Sequence, residues 1–219
     1  MDVTRAVPPP ASGAFAVPAP LPVLAFQGVS IAFNGPPVLR DISFTVAPTE
    51  TRIVLGPAGV GKSVLLKLSN GLLRPDSGSI EIFGHDIACA AEQDLFHLRT
   101  RTGMVFQEGA LFDSLTVRDN VGYRLMEDHV QEDEIDRRVT EALRFVELEH
   151  TLDKFPSELS GGMRRRVAIA RAIVTRPELI LYDSPTGGLD PITSTTIIDL
   201  VIKQRDVYKT SSLVVTHRL

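Results

Sequence analysis

Residues 52–63 read Arg52-Ile53-Val54-Leu55-Gly56-Pro57-Ala58-Gly59-Val60-Gly61-Lys62-Ser63. An apolar run leads into a complete G-x-x-x-x-G-K-[ST] loop, and a helical stretch from Lys62 to Leu72 follows. A strand that feeds a glycine loop into a helix N-terminus aims several backbone N–H groups at one point, where the helix dipole adds positive potential. Gly56, Gly59 and Gly61 allow the tight path and leave no side chain to block a polyphosphate, with Pro57, Ala58 and Val60 completing the cradle. Lys62 offers a point charge to the β- and γ-phosphates, and the Ser63 hydroxyl can ligate Mg²⁺. The competing reading is a glycine-rich turn with an accidental Lys-Ser. The strand before and the helix after weigh against it, and the loop implies a bound nucleoside triphosphate.

Around this loop the chain has 219 residues, enough for one large domain with an inserted subdomain. A hydrophobic fraction of 43% and a charged fraction of 23% are ordinary for a globular protein. A formal charge of −4 argues against a nucleic-acid partner held by phosphate contacts. Arg164-Arg165-Arg166 is a local basic exception and reads as a solvated face near a helix start. The single cysteine, Cys89, excludes an internal disulfide and a cysteine-rich metal site, which fits a reducing compartment. No apolar stretch approaches the ~18–20 residues that span a bilayer. Asp2 and the early prolines disagree with a signal peptide. Residues 1–22 carry Pro8, Pro9, Pro10, Pro18, Pro20 and Pro22 and read as a disordered or polyproline-like tail, with the folded part expected from near Val23.

Short apolar or alternating pieces (Val23–Phe26, Val29–Phe33 and Ile42–Val46), broken at Asn34-Gly35-Pro36-Pro37, predict a small antiparallel sheet. Ser79–Phe83 and Met104–Phe106 are further strand candidates. Residues 116–155 change character: Ile135, Val139, Leu143 and Val146 keep helical spacing, and Glu132, Asp133 and Glu134 favour the helix start. A helical subdomain inserted over about 108–165 is therefore expected. Leu179-Ile180-Leu181-Tyr182 then reads as a strand buried on both faces, Thr193–Gln204 as a helix and Leu213–Thr216 as the next strand. This alternation predicts an α/β protein with a parallel, doubly wound core.

Asp183 ends the buried strand, at the edge where Mg²⁺ needs an anionic partner when a phosphate loop stands opposite. Glu158-Leu159-Ser160-Gly161-Gly162-Met163 precedes an amphipathic helix read as Arg164–Val174. Ser160 can cap that helix, and Gly161-Gly162 leave its terminus bare, which is either ordinary capping or a second anion site.

Leu159-Ser160-Gly161-Gly162-Met163, about two dozen residues before Leu179-Ile180-Leu181-Tyr182-Asp183, resembles the signature motif of the ATP-binding cassette family. Gln107 resembles its Q-loop, Gly188-Leu189-Asp190 its D-loop, and His217 its switch histidine. Phe33 resembles the aromatic residue that stacks on adenine, with a core phenylalanine as the competing reading. The resemblance covers residues 23–219. Within the family, Phe106-Gln107 with Gly109–Val117, Pro156–Met163 and Gly188–Thr193 look closest to the nucleotide-binding subunit of Mla/Mce-type phospholipid transporters. The resemblance implies a head-to-tail homodimer sandwiching two ATP molecules. Ser63, Gln107 and Asp183 would hold Mg²⁺, and Lys62 and His217 would hold phosphate. Ser160, Gly161, Gly162 and Asp190 would close on the neighbour's nucleotide. It also implies an integral membrane permease, an Mce-type lipid-binding subunit, and a peripheral place on the cytoplasmic face of the inner membrane.

Two departures stand out. Where the family has a glutamate directly after the Mg²⁺ aspartate, this chain has Ser184. Either Glu108, Asp190 or His217 orients the water instead, or the site is slow, or the residue was substituted. The chain also stops at Leu219, where the family continues with helix and strand, so a fragment lacking cover on one side of the core is expected. An ATPase subunit of a transporter is the leading reading, and an ATP-gated clamp or regulator with little hydrolysis is the rival.

Overall fold

The computed structural model describes residues 20–217; residues 1–19 of the tail expected over 1–22, and the last two residues, lie outside it. Two sheets organise the chain. The first is antiparallel, in the order β2-β1-β4-β5, built from β1 (Leu24–Ala32), β2 (Pro37–Val46), β4 (Ser77–Ile82) and β5 (His85–Asp86). The two apolar pieces expected before residue 34 are one irregular strand, because register shifts between Phe26 and Ala32 carry it through Gln27-Gly28 without a break. Phe26 stacks on Phe44 at 4.8 Å across β1 and β2. The β4–β5 hairpin turns on Phe83 and Gly84, both at positive φ (51° and 79°), the pairing a two-residue turn demands.

The second sheet is wholly parallel, in the order β3-β8-β7-β6, from β3 (Thr51–Leu55), β6 (Thr102–Val105), β7 (Leu179–Asp183) and β8 (Ser211–Thr216). Alternate residues of its central strands feed two cores. Leu179, Leu181, Leu213 and Val215 face helix α1 (Lys62–Ser69) and the antiparallel sheet. Ile180, Tyr182 and Val214 face the other way, towards α5 (Gly161–Ile173) and α6 (Pro191–Tyr208). The continuous apolar run at 179–182 is buried on both sides, as a central parallel strand must be.

Between β6 and β7 lie α3 (Val117–Glu127) and α4 (Glu132–Phe145), joined to the same core as α5. Ile135, Val139 and Leu143 are buried on α4, so the helical spacing marks a packed face. Some boundaries differ from expectation. Helix α1 ends at Ser69, before Asn70-Gly71, where Gly71 turns out at φ +63°. Helices α5 and α6 begin at Gly161 and Pro191, earlier than read, because Ser160 and Asp190 cap them. The antiparallel hairpin strand β5 and helix α2 (Glu92–Thr100) were not foreseen. No helix among the described residues is long and apolar enough to cross a membrane.

Candidate functional site

Four strands running the same way end along one edge. Leu55 stands opposite Thr216, Asp183 opposite Val215 and Val105 opposite Tyr182, so the chain leaves each strand within about a residue of its neighbour. The next residues are Gly56, Phe106-Gln107, Ser184 and His217, which is the edge where open parallel sheets bind ligands. A cavity of about 380 Å³ opens there, lined by Ala58, Gly59, Gly61, Lys62, Ser63, Gln107, Asp183, Ser184 and His217, with Val38 and Val64 as apolar walls.

Local geometry follows from the loop. Gly61 sits at φ +99°, and a Cβ there would stand 2.8 Å from Val38 Cγ1 and 3.0 Å from Leu39 Cδ2. Glycine is thus required twice over, by backbone conformation and by the close approach of β2. The Lys62 ammonium donates to the Gly56 and Pro57 carbonyls, both at 2.7 Å, which holds the charge over the loop. Ser63 Oγ donates to Asp183 Oδ2 at 2.9 Å, joining the start of α1 to the end of β7. Gln107 lines the same cavity, and its Nε2 lies by the 184–188 loop, 3.4 Å from where a Cβ on Gly187 would stand. A hydroxyl, one carboxylate and an amide are hard oxygen donors, and a single carboxylate suits Mg²⁺, which keeps waters and substrate oxygens for its other positions. Among the described residues no group of three or more His, Cys, Asp or Glu comes together, so these side chains fit Mg²⁺ better than an ion that needs an all-protein cage.

The remaining candidates lie elsewhere. Phe33 is 51% exposed in the turn before β2 and does not line the cavity; the core reading of this residue is excluded. Ser160, Gly161, Gly162 and Asp190 are brought together with one another and not with the phosphate loop. Ser160 Oγ accepts from the Met163 N–H (3.2 Å) and Asp190 Oδ1 from the Thr193 N–H (3.0 Å). The hydrogen bonds from Thr193 hold the Asp190 carboxyl below its usual range. The two helix starts touch: a Cβ on Gly162 would lie 2.5 Å from Thr193 Cγ2, and one on Gly161 4.0 Å from Leu189 Cδ2. A second cavity of about 400 Å³ runs along Thr186–Leu189 and the first turns of α6 and shares His217 with the first.

The profile of the ABC transporter family matches residues 39–187. The chain belongs to the ABC transporter family. It is 38% identical over 205 residues to the methionine import ATP-binding protein MetN of Bifidobacterium longum, an alignment covering 90% of this chain and 51% of MetN. It is 40% identical over 194 residues to a probable ribonucleotide transport ATP-binding protein, mkl, of Mycobacterium bovis, covering 88% of this chain and 54% of that protein. The chain therefore spans about half the length of the curated relatives it matches. Among solved structures, the ATP-binding cassette MJ0796, dimeric in a post-hydrolysis state with ADP and Pi, superposes with a TM-score of 0.81 at 30% identity, covering 89% of this chain and 88% of that one. The fold is that of the ABC ATPase cassettes.

In this ABC transporter chain the basic run on α5 is not a solvated face. Arg165 is 5% exposed, and its guanidinium donates to the carbonyls of Ser184 (3.0 Å), Pro185 (3.0 Å) and Gly187 (3.2 Å). Arg164 donates to the Leu159 carbonyl and Arg166 to that of Val146. Farther along, Arg171 donates to Gly109 and Ala110, both at 2.8 Å. Burial pushes the Arg165 and Arg171 guanidinium groups down from their ordinary range, with the Glu108 charge opposing the shift at Arg165. Reading the run as surface failed because Arg165 lies on a helix whose neighbours Val167, Ala168, Ile169 and Ala170 are all buried. Such a helix is covered on most sides, and its charges must find carbonyls. Ser184 itself is 3% exposed, at φ 44°, with its N–H on the Val215 carbonyl (2.8 Å).

Proposed function

We propose that this chain is the ATP-binding and ATP-hydrolysing subunit of an ABC transporter, acting as a head-to-tail pair beneath a membrane-spanning permease. The observation that carries the reading is the 2.9 Å contact of Ser63 with Asp183 inside the cavity shared by Lys62, Gln107 and His217. It sets a fixed cation, hard oxygen donors and a bare helix terminus around one point, which is what a triphosphate with its metal requires. The amides of residues 58–63 and Lys62 would hold the β- and γ-phosphates, and Ser63, Asp183 and Gln107 would hold Mg²⁺. His217 would hydrogen-bond the terminal phosphate. Bound Mg²⁺ supplies charge neutralisation at the phosphoryl oxygens. Ser160, Gly161, Gly162 and Asp190 stand outside this cavity, and in a pair they would close on the partner's nucleotide, with Phe33 stacking on adenine. The dimer of the similar cassette with ADP and Pi supports such pairing.

For cargo, the Mla/Mce-type likeness at residues 106–117 and 156–163 favours phospholipid or another hydrophobic molecule, handled with an Mce-type lipid-binding subunit at the cytoplasmic face of the inner membrane. Cassettes this similar carry names for unlike cargoes, methionine and ribonucleotide, so the permease is the part that selects.

Ser184 favours a second reading on the same site: binding and closure with slow hydrolysis. A glutamate at this place would be a general base for water, worth roughly 10²–10⁴ in rate. The primary test is calorimetric titration with Mg·ATP. Lys62→Ala weakens binding at least about tenfold, ~1.4 kcal/mol, and leaves the nucleotide-free melting temperature nearly unchanged. Unaltered affinity overturns the assignment.

A further inference from the structure

The loop of residues 184–188 connects the end of β7 to the capped start of α6. It enters through the sheet, by the Ser184 N–H on the Val215 carbonyl at 2.8 Å. Two of its further backbone bonds are internal, Gly187 N–H to Ser184 carbonyl (2.9 Å) and Leu189 N–H to Thr186 carbonyl (3.2 Å). Three of its carbonyls, those of Ser184, Pro185 and Gly187, converge on Arg165 at 3.0, 3.0 and 3.2 Å. A guanidinium is a planar fork of five donors with fixed directions, so one buried Arg defines the path of a whole turn. Ser184 at φ 44° is a conformation an L-residue keeps only when its surroundings over-determine it. Arg165 leaves α5 one turn after Gly162, and Gly162 lies against Thr193 of α6.

We propose that Arg165 is a positioning residue for nucleotide-driven pairing. It fixes the 184–188 loop to α5, so the face carrying Ser160–Gly162 and Asp190 is held in one block with the Asp183 side of the phosphate cavity. A nucleotide bound at the cavity thereby sets the surface offered to a second copy. The inference rests on the pairing described under the proposed function. The Arg165 charge is spread over the carbonyl dipoles of the loop.

The test uses the full chain and its Arg165→Gln and Arg165→Lys variants. Self-association with Mg·ATP is followed by light scattering, and nucleotide affinity of single copies is measured at dilutions below pairing. Melting temperature is recorded without nucleotide. Gln retains two donors and Lys a single nitrogen, so neither rebuilds the three-carbonyl fork. The expected result is association weakened at least about tenfold in both variants, with single-copy affinity within about twofold of the parent. A residue with a merely structural role would lower the melting temperature and leave association of the folded molecules unchanged, and that result overturns the proposal. If the parent chain itself does not associate with Mg·ATP, the pairing has failed and the Arg165 proposal goes with it. If the parent associates and the variants match it, only Arg165 is misassigned.

Discussion

Gly162→Ala tests the junction of α5 with α6 on steric grounds alone. The new Cβ would stand 2.5 Å from Thr193 Cγ2, well inside contact distance. Thr193 cannot simply turn away, because its Oγ1 donates to Asp190 Oδ2 at 2.6 Å and its N–H to Oδ1 at 3.0 Å. Rotating the side chain forfeits its hydrogen bond to Asp190, and shifting the backbone carries an overpacking cost of about 1–3 kcal/mol. Alanine returns about 0.5–1 kcal/mol by restricting the unfolded chain. The net loss is about 1–2 kcal/mol, or roughly 2–8 °C in melting temperature for a chain of this size. Thr193→Ser removes the offending methyl and keeps the hydroxyl on Asp190. Alone it loses at most about 0.8 kcal/mol. The double variant should therefore recover most of the loss, with a coupling of about 1–2 kcal/mol in the cycle. Urea and thermal unfolding followed by circular dichroism, without nucleotide, read all four proteins. If Gly162→Ala melts with the parent, or Thr193→Ser brings no relief, the packing argument is wrong.

Ser184→Glu should raise steady-state ATP turnover by about 10²–10⁴ through a water-activating carboxylate, and equal turnover in a phosphate-release assay shows that residue 184 does not limit the chemistry. Gln204 is fully buried and its Nε2 has no partner among the described residues, while Tyr182 Oη donates to its Oε1 at 3.3 Å and Ser212 Oγ at 3.5 Å. Gln204→Leu strands that phenol and should destabilise, whereas adding Tyr182→Phe should restore about 1–3 kcal/mol in urea unfolding; a double variant no more stable than Gln204→Leu contradicts this. Arg137, then Arg138, hold the Glu134 carboxyl down from 4.5 to about 2. A depressed carboxyl contributes stability above its unfolded pKa and loses it as pH falls through the folded one. Between pH 4.5 and about 2, Glu134→Gln should therefore lose less melting temperature than the parent, and parallel pH profiles would refute it.

The phosphate loop and Asp183 were legible in the sequence because they stand at the ends of strands of one parallel sheet, and parallel strands deliver their C-terminal ends to one edge; Gln107 and His217 came from the family resemblance, and the same edge brings them to the cavity. The buried run at 179–182 was legible for the same reason. What escaped was tertiary. Arg165 looks like surface in a row of three arginines, and only the burial of Val167–Ala170 beside it reveals otherwise. Helix α2 escaped because its two buried residues, Leu95 and Leu98, give too little periodicity to mark a face.

The strand order places β8 between β3 and β7. The bond from the Thr49 N–H to the Ser211 hydroxyl, 2.8 Å long, spans 162 residues of chain. At about 5–20 residues per second, a ribosome takes roughly 8–30 s to deliver the partner of the strand that launches residues 56–63. Through that interval the backbone of Thr51–Leu55 lacks the parallel partner, Ser212–Thr216, that it has in the fold. Substitutions within residues 211–216 should therefore depress soluble yield more than equally conservative ones in β6 at the sheet's far border.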